Sequence, residues 1–177
     1  MDEAGFKPLY SSAEIANRLN DLASDIAAGM PRDFVLVAIL KGSFVFAADL
    51  VRALVQVNTN PDVDFMILSS YGDGQESSGN VKLLRDTEIS VENRHVLLVD
   101  DILDSGRTLA FARAHVLARG AKTAKVCVLL EKAEGQGRQR CDADFVGFAC
   151  PDAFVVGYGM DHAHKYRGLP HIAILCE

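Results

Sequence analysis

Tryptophan is absent from the 177-residue chain, proline occurs only five times, and the four cysteines are scattered. Cys127, Cys141, Cys150 and Cys176 form no CxxC pair, and no histidine follows them at finger spacing, which argues against a zinc site. Cys127 and Cys150 lie in apolar runs and read as small core residues. No apolar run approaches the ~18 residues that a membrane helix needs. The start, Met1-Asp2-Glu3-Ala4-Gly5-Phe6, lacks the basic head and apolar middle of a secretory signal. A soluble cytoplasmic protein without a membrane partner is expected. Basic excess is missing as well: 18 Lys and Arg stand against 24 Asp and Glu, a net charge of −6. Phosphate neutralisation supplies most of a nucleic-acid binder's affinity, so no nucleic-acid partner is expected, although a local basic site for a small phosphorylated ligand remains open.

What the chain does have is apolar content, 49% of its residues, arranged in alternating strand and helix patterns. Ser11-Ser12-Ala13-Glu14 has the form of a capping box, and Ile15, Leu19, Leu22 and Ile26 follow at helical spacing up to Gly29. Phe34 to Leu40 is a continuous apolar run, as a buried strand would be, and Phe44 to Val55 reads as a helix. Further strands are expected at 63–69, 95–99 and 124–130, with 81–84 suited to a returning strand, a helix at 109–118 closed by Gly120, and three short apolar stretches at 145–149, 154–158 and 172–175. Tyr71 to Asn80 has three glycines and almost no apolar content, and reads as a loop or hairpin tip. Recurring strand–helix–strand units predict an α/β fold with a central parallel sheet and helices on both faces. Ligands of such sheets bind beyond the carboxyl ends of the strands, which directs attention to the polar residues there.

The richest of these is Val96-Leu97-Leu98-Val99-Asp100-Asp101-Ile102-Leu103-Asp104-Ser105-Gly106-Arg107-Thr108. A buried strand ends in two acids and passes through a Ser/Gly/Thr loop into a helix. Backbone N–H groups, two hydroxyls and a helix N-terminus make a socket for a phosphate monoester. The acids accept hydrogen bonds from a sugar diol and can help to hold Mg²⁺. Together they fit a phosphorylated ribose. Helix capping by Asp104 or Ser105 is the plain alternative. A P-loop fails, because the glycine it requires five positions before Gly106 is Asp101.

This run resembles the phosphoribosyl-pyrophosphate signature of type I phosphoribosyltransferases, and the wider pattern is similar to their 6-oxopurine branch. Leu40-Lys41-Gly42-Ser43, Ser70-Tyr71, Leu129-Leu130-Glu131-Lys132, Phe154 to Asp161, and Tyr166-Arg167-Gly168-Leu169-Pro170 match it in order. The resemblance implies a single domain over 1–177, with a small hood from segments near 1–30 and 150–177 and a flexible loop near 70–81. It implies that a 6-oxopurine, hypoxanthine or guanine, reacts with phosphoribosyl pyrophosphate to give the nucleoside monophosphate and diphosphate. Asp104 would be the general base at the purine N7. Asp100, Asp101, Asp104, Ser105, Gly106, Arg107 and Thr108 would hold the phosphoribosyl group. Lys41, Gly42 and Arg167 would meet the diphosphate, with a cis peptide before Lys41.

Lys132, Phe154, Val155 and Asp161 would form the purine subsite, with Lys132 donating to O6 and Phe154 stacking on the ring. Asp161, Asp100 and Asp101 would serve Mg²⁺, the one cofactor implied. Ser70 and Tyr71 would open a lid, and the assembly would be a homodimer or homotetramer. His162 departs from the family pattern, where an aromatic commonly follows the aspartate. Two rivals stay open: an RNA-binding regulator of the same fold, which the acidic charge opposes, and an enzyme for another base, of which xanthine is the least disfavoured.

Overall fold

The computed structural model describes residues 5–70, 81–132 and 141–176. Among these, six strands form one sheet in the order β4-β3-β2-β5-β6-β7. They are β2 (Phe34–Leu40), β3 (Asp62–Ser70), β4 (Val81–Arg85), β5 (His95–Leu103), β6 (Thr123–Lys132) and β7 (Phe145–Cys150). Five run parallel, while β4 pairs antiparallel with β3, so the sheet is mostly rather than wholly parallel. A strand that returns as a hairpin must run antiparallel, since a parallel return needs a crossover element.

The all-apolar β2 is buried on both faces and alternates between two cores. Phe34, Leu36 and Ala38 point into one, and Val35, Val37 and Ile39 into the other. The first core is covered by α1 (Ser12–Gly29) and α2 (Phe44–Gln56), the second by α3 (Arg107–Ala118). In α1 the Ser11–Glu14 capping box is present, and Ile15, Leu19, Leu22, Ala23 and Ile26 bury one face. No helix among the described residues is long and apolar enough to cross a membrane.

A second, three-stranded antiparallel sheet in the order β1-β9-β8 draws on the terminal segments. It joins β1 (Phe6–Tyr10), β8 (Val155–Val156) and β9 (Ile172–Leu175). The sequence gives little sign of β1, which contains Pro8 and lies at a sheet edge, where a missing N–H costs no ladder bond. The apolar stretch 154–158 gives a strand of only two residues because Gly157, Tyr158 and Gly159 all adopt left-handed φ values of 97°, 50° and 104°. Val155, Tyr158, Met160 and Ile172 join the α1/α2 core, so this hood rests on the main body through shared packing.

Candidate active site

Parallel pairing brings the carboxyl ends of β2, β5 and β6 to one edge of the sheet. A cavity of about 310 Å³ opens there. Lys41, Gly42, Asp100, Asp101, Asp104, Ser105, Gly106 and Thr108 line it. The two loops that are distant in sequence thus share one cavity, and both strand-end acids reach it. Strand β5 runs on through Asp100 and Asp101 to Leu103, further than its apolar residues alone indicate. The Leu40–Lys41 peptide bond is cis.

The loop into α3 is shaped by Gly106, the N-cap residue, at φ 75°, and no side chain caps the helix. Asp104 and Ser105 therefore do not serve as its caps, and both are exposed toward the cavity. A left-handed residue without Cβ at this point leaves the first N–H groups of α3 facing the cavity end. Arg107 opens the helix, half-buried, and does not line the cavity.

Asp100, buried, and Asp101, half-buried, form an acid pair. The Asp101 N–H donates to Asp100 Oδ1 at 3.0 Å, and the Ile102 N–H donates to Asp101 Oδ1 at 3.0 Å. Burial, and then the neighbouring Asp101 charge, push the Asp100 carboxyl well above the usual range. Asp101 is also raised by burial, against the pull of its hydrogen bonds and of the nearby Arg167 charge. The pair therefore holds a proton at higher pH than free carboxylates do. For a carboxyl raised in the folded state, the stabilisation is complete below the unfolded pKa of ~3.9 and is lost as pH rises through the folded value. Asp100→Asn removes that loss, because its amide can still accept from Asp101 N–H and can donate to the Asp101 carboxylate. We expect it to stabilise the protein at neutral pH by on the order of 1 kcal/mol, about 2–4 °C in Tm. The gain should shrink as pH falls toward 4. Calorimetry from pH 4 to 8 checks this, and an Asp100→Asn Tm below that of the parent throughout would refute it.

Lys132, at the end of β6, reaches back to Asp104, with Nζ 3.2 Å from Oδ2. Its second partner is Asp152, at 3.6 Å, a residue on the exposed β7–β8 loop that nothing in the sequence singles out. Phe154 is exposed and meets His162 edge to face, with centroids 5.3 Å apart. Val155 is buried in β8 and pairs with Ile174. Arg167 bridges the hood: its Nη2 lies 2.7 Å from Asp161 Oδ1, and its Nη1 donates to the Gly159 carbonyl at 2.7 Å. Any Cβ on Gly159 would collide with the Gly42 carbonyl, so the Arg167 loop lies directly against the Lys41–Gly42 loop.

Sequence reasoning also missed the anchor of this hood, Tyr158, whose hydroxyl donates to Asp49 of α2 at 2.6 Å. Burial and the Asp49 carboxylate push that phenol up, so it stays a donor. A lone acid on a helix carries no signal for such a partner. Ser70 closes β3 with its backbone paired to Val81, and Tyr71 lies outside the described residues.

A sequence model of the phosphoribosyl transferase domain matches residues 7–163. The hypoxanthine-guanine phosphoribosyltransferase of Bacillus subtilis is 42% identical over 170 residues, covering 96% of this chain and 92% of that protein. Among solved structures, a variant of the hypoxanthine phosphoribosyltransferase of Trypanosoma cruzi, in a ternary complex with substrates, superposes with a TM-score of 0.89 at 40% identity. That match covers 98% of this chain and 96% of the other. A hypoxanthine-guanine phosphoribosyltransferase from Bacillus anthracis, with HEPES in its active site, gives a TM-score of 0.85 at 41% identity, over 96% of this chain and 98% of that one. Fold, cavity and near-full-length identity converge, and the chain belongs to the phosphoribosyltransferase family, grouped with its hypoxanthine-guanine members.

Proposed function

We propose that this enzyme transfers the phosphoribosyl group of phosphoribosyl pyrophosphate to a 6-oxopurine, hypoxanthine or guanine, forming IMP or GMP and releasing diphosphate. The observation that carries this reading is the Asp104–Lys132 pair at 3.2 Å, beside a loop shaped for a phosphate. A 6-oxopurine presents N7 and O6 along one edge. Entering between the two side chains, that edge meets an acceptor, Asp104, and a donor, Lys132. An adenine would turn its amino group toward an ammonium, leaving two donors facing each other.

The 5′-phosphate is taken by the backbone N–H groups of Ser105 to Thr108 and by the Ser105 and Thr108 hydroxyls. Arg107 contributes its backbone there. Asp100 and Asp101 face the ribose hydroxyls. Lys41, Gly42 and Arg167 receive the diphosphate, for which the planar Arg fork is suited. Phe154 stacks on the base, and the Val155 backbone meets its edge. Asp104 takes the N7 proton as N9 bonds to the sugar, with a general-base contribution of about 10²–10⁴ in rate. Ser70 and Tyr71 open a lid that excludes water from the reacting sugar.

Mg²⁺ is the implied cofactor. Among the described residues no group of three or more His, Cys, Asp or Glu is gathered to hold a metal. Mg²⁺ is commonly held by one or two carboxylates plus substrate phosphates and water, so a full protein cage is not required. The Asp100–Asp101 pair, both raised by desolvation and Asp100 also by the Asp101 charge, is the kind of donor set a dication relieves, and Asp161 beside Arg167 is the second. The ion supplies charge neutralisation on the departing diphosphate. The reading extends to a cytoplasmic homodimer or homotetramer, for which the exposed Phe44, Val55, Val63 and Phe65 offer apolar surface.

A panel of hypoxanthine, guanine, xanthine and adenine, each with phosphoribosyl pyrophosphate and Mg²⁺, tests the proposal by product chromatography. Hypoxanthine and guanine should be converted and adenine should not. Preferred use of adenine, or no turnover of any 6-oxopurine, would overturn it.

A further inference from the structure

We propose that His162 is a positioning residue for the purine subsite: its imidazole braces the Phe154 ring and so sets affinity for the base. This rests on the reading of Phe154 as the stacking residue. Phe154 stands just before the short β8 and is 55% exposed, so its ring has little packing of its own to fix it. The one ring it touches among the described residues is that of His162, at a centroid distance of 5.3 Å and an interplanar angle of 74°. That is the edge-to-face arrangement that aromatic quadrupoles favour, within the usual 4.5–7 Å window.

A brace helps only if it is itself held, and the backbone of His162 is. His162 and Lys165 exchange hydrogen bonds, N–H to O at 3.2 Å and 3.0 Å, closing a tight two-residue turn. Its central residues, Ala163 and His164, both have positive φ, 49° and 67°, as a type I′ turn requires. The Asp161 carboxylate accepts the His164 N–H at 2.8 Å and pairs with Arg167 at 2.7 Å. The turn is thus pinned from its own side chain and from the hood arginine. His162 stands on this fixed turn, and Phe154 leans on it.

The brace stands beside a second subsite without being part of it. The residues that hold the turn, Asp161 and Arg167, are those assigned to metal and diphosphate, whereas the ring it supports is assigned to the base.

An edge-to-face pair contributes about 0.5–1.5 kcal/mol, which converts to roughly 2–13-fold in affinity. His162→Ala should raise the KM for hypoxanthine by about that factor, while KM for phosphoribosyl pyrophosphate and kcat move less than about twofold. His162→Phe, which restores a ring, should return the base KM to near the parent value, and His162→Asn, polar but without a ring, should not. A structural role in the hood would instead raise both KM values together. Nuclear magnetic resonance of the free protein gives an independent readout. Phe154→Leu should shift the His162 ring protons by removal of the phenyl ring current, with the His164 ring protons as control. An unchanged base KM in His162→Ala, full rescue by His162→Asn, or unmoved His162 resonances would overturn the inference while leaving the enzyme's function standing. A parent that converts no 6-oxopurine would remove the proposed function first, and the brace with it.

Discussion

Asp104→Asn is expected to lower kcat by about 10²–10⁴-fold, the range that a positioned general base supplies, with the Tm nearly unchanged. The separation follows from where Asp104 sits. Its side chain is 64% exposed and does not cap α3, whose N-cap is Gly106. Among the described residues its side chain is held by an ion pair with Lys132, and exposed pairs are worth about 0–1 kcal/mol. Asparagine is nearly isosteric and its oxygen can still accept from Lys132, so the pocket keeps its shape. The amide nitrogen cannot take a proton from N7, so the chemical step alone should suffer. Steady-state kinetics with hypoxanthine, alongside a thermal melt, separate the two effects. Turnover within about tenfold of the parent would show that Asp104 is not the base. A Tm fall of many degrees would show that the residue has a folding role that the structure does not reveal.

The loop that carries Asp104 was legible in the sequence as a polar cavity loop because chemistry and local pattern coincide there, whereas the role proposed for Asp104 itself came from resemblance. A buried strand, two acids and a Ser/Gly/Thr loop are contiguous, so one segment of 13 residues supplies most of the cavity lining proposed to hold the sugar phosphate. The parallel α/β core was legible for a similar reason: Phe34–Leu40 and 96–99 are too uniformly apolar to lie anywhere but between two covered faces. The contacts that cross the chain were not legible. Asp152 reaches Lys132, and Asp49 receives Tyr158, only because the hood folds over the carboxyl edge, and a single acid in a loop or helix has no periodicity to betray its partner. β1 was missed because its pairing energy comes from β9, at the other end of the chain, and its own composition is ambivalent. The residues assigned to purine and diphosphate came from resemblance; spacing alone could not separate Phe154 from a core phenylalanine.

Gly42→Ala should be strongly damaging for so small a change, a single methyl group. A Cβ at this position would overlap the Asp101 carboxylate far inside van der Waals contact. Asp101 is held by hydrogen bonds to its own loop and lies near the Arg167 charge, so it has few ways to retreat. Either the acid moves or the Lys41–Gly42 loop does, and each carries part of the proposed diphosphate and ribose subsites. Overpacking of this kind costs about 1–3 kcal/mol in stability, and a misplacement near 1 Å can cost on the order of 10²-fold in rate. The cause can be isolated with a double-mutant cycle read by denaturant melts, which do not depend on activity. In an Asp101→Ala background the methyl has room, so Gly42→Ala should cost at least 0.5 kcal/mol less there than in the parent, a coupling of the size seen for residues in contact. Gly5→Ala, where a Cβ meets open space, is the control and should be neutral or slightly stabilising. An equal cost of Gly42→Ala in both backgrounds would mean that the two residues do not compete for the same volume. The glycine would then answer to backbone freedom rather than to the acid beside it, and the close meeting of the β2 and β5 loops, on which the shared cavity depends, would have to be redrawn.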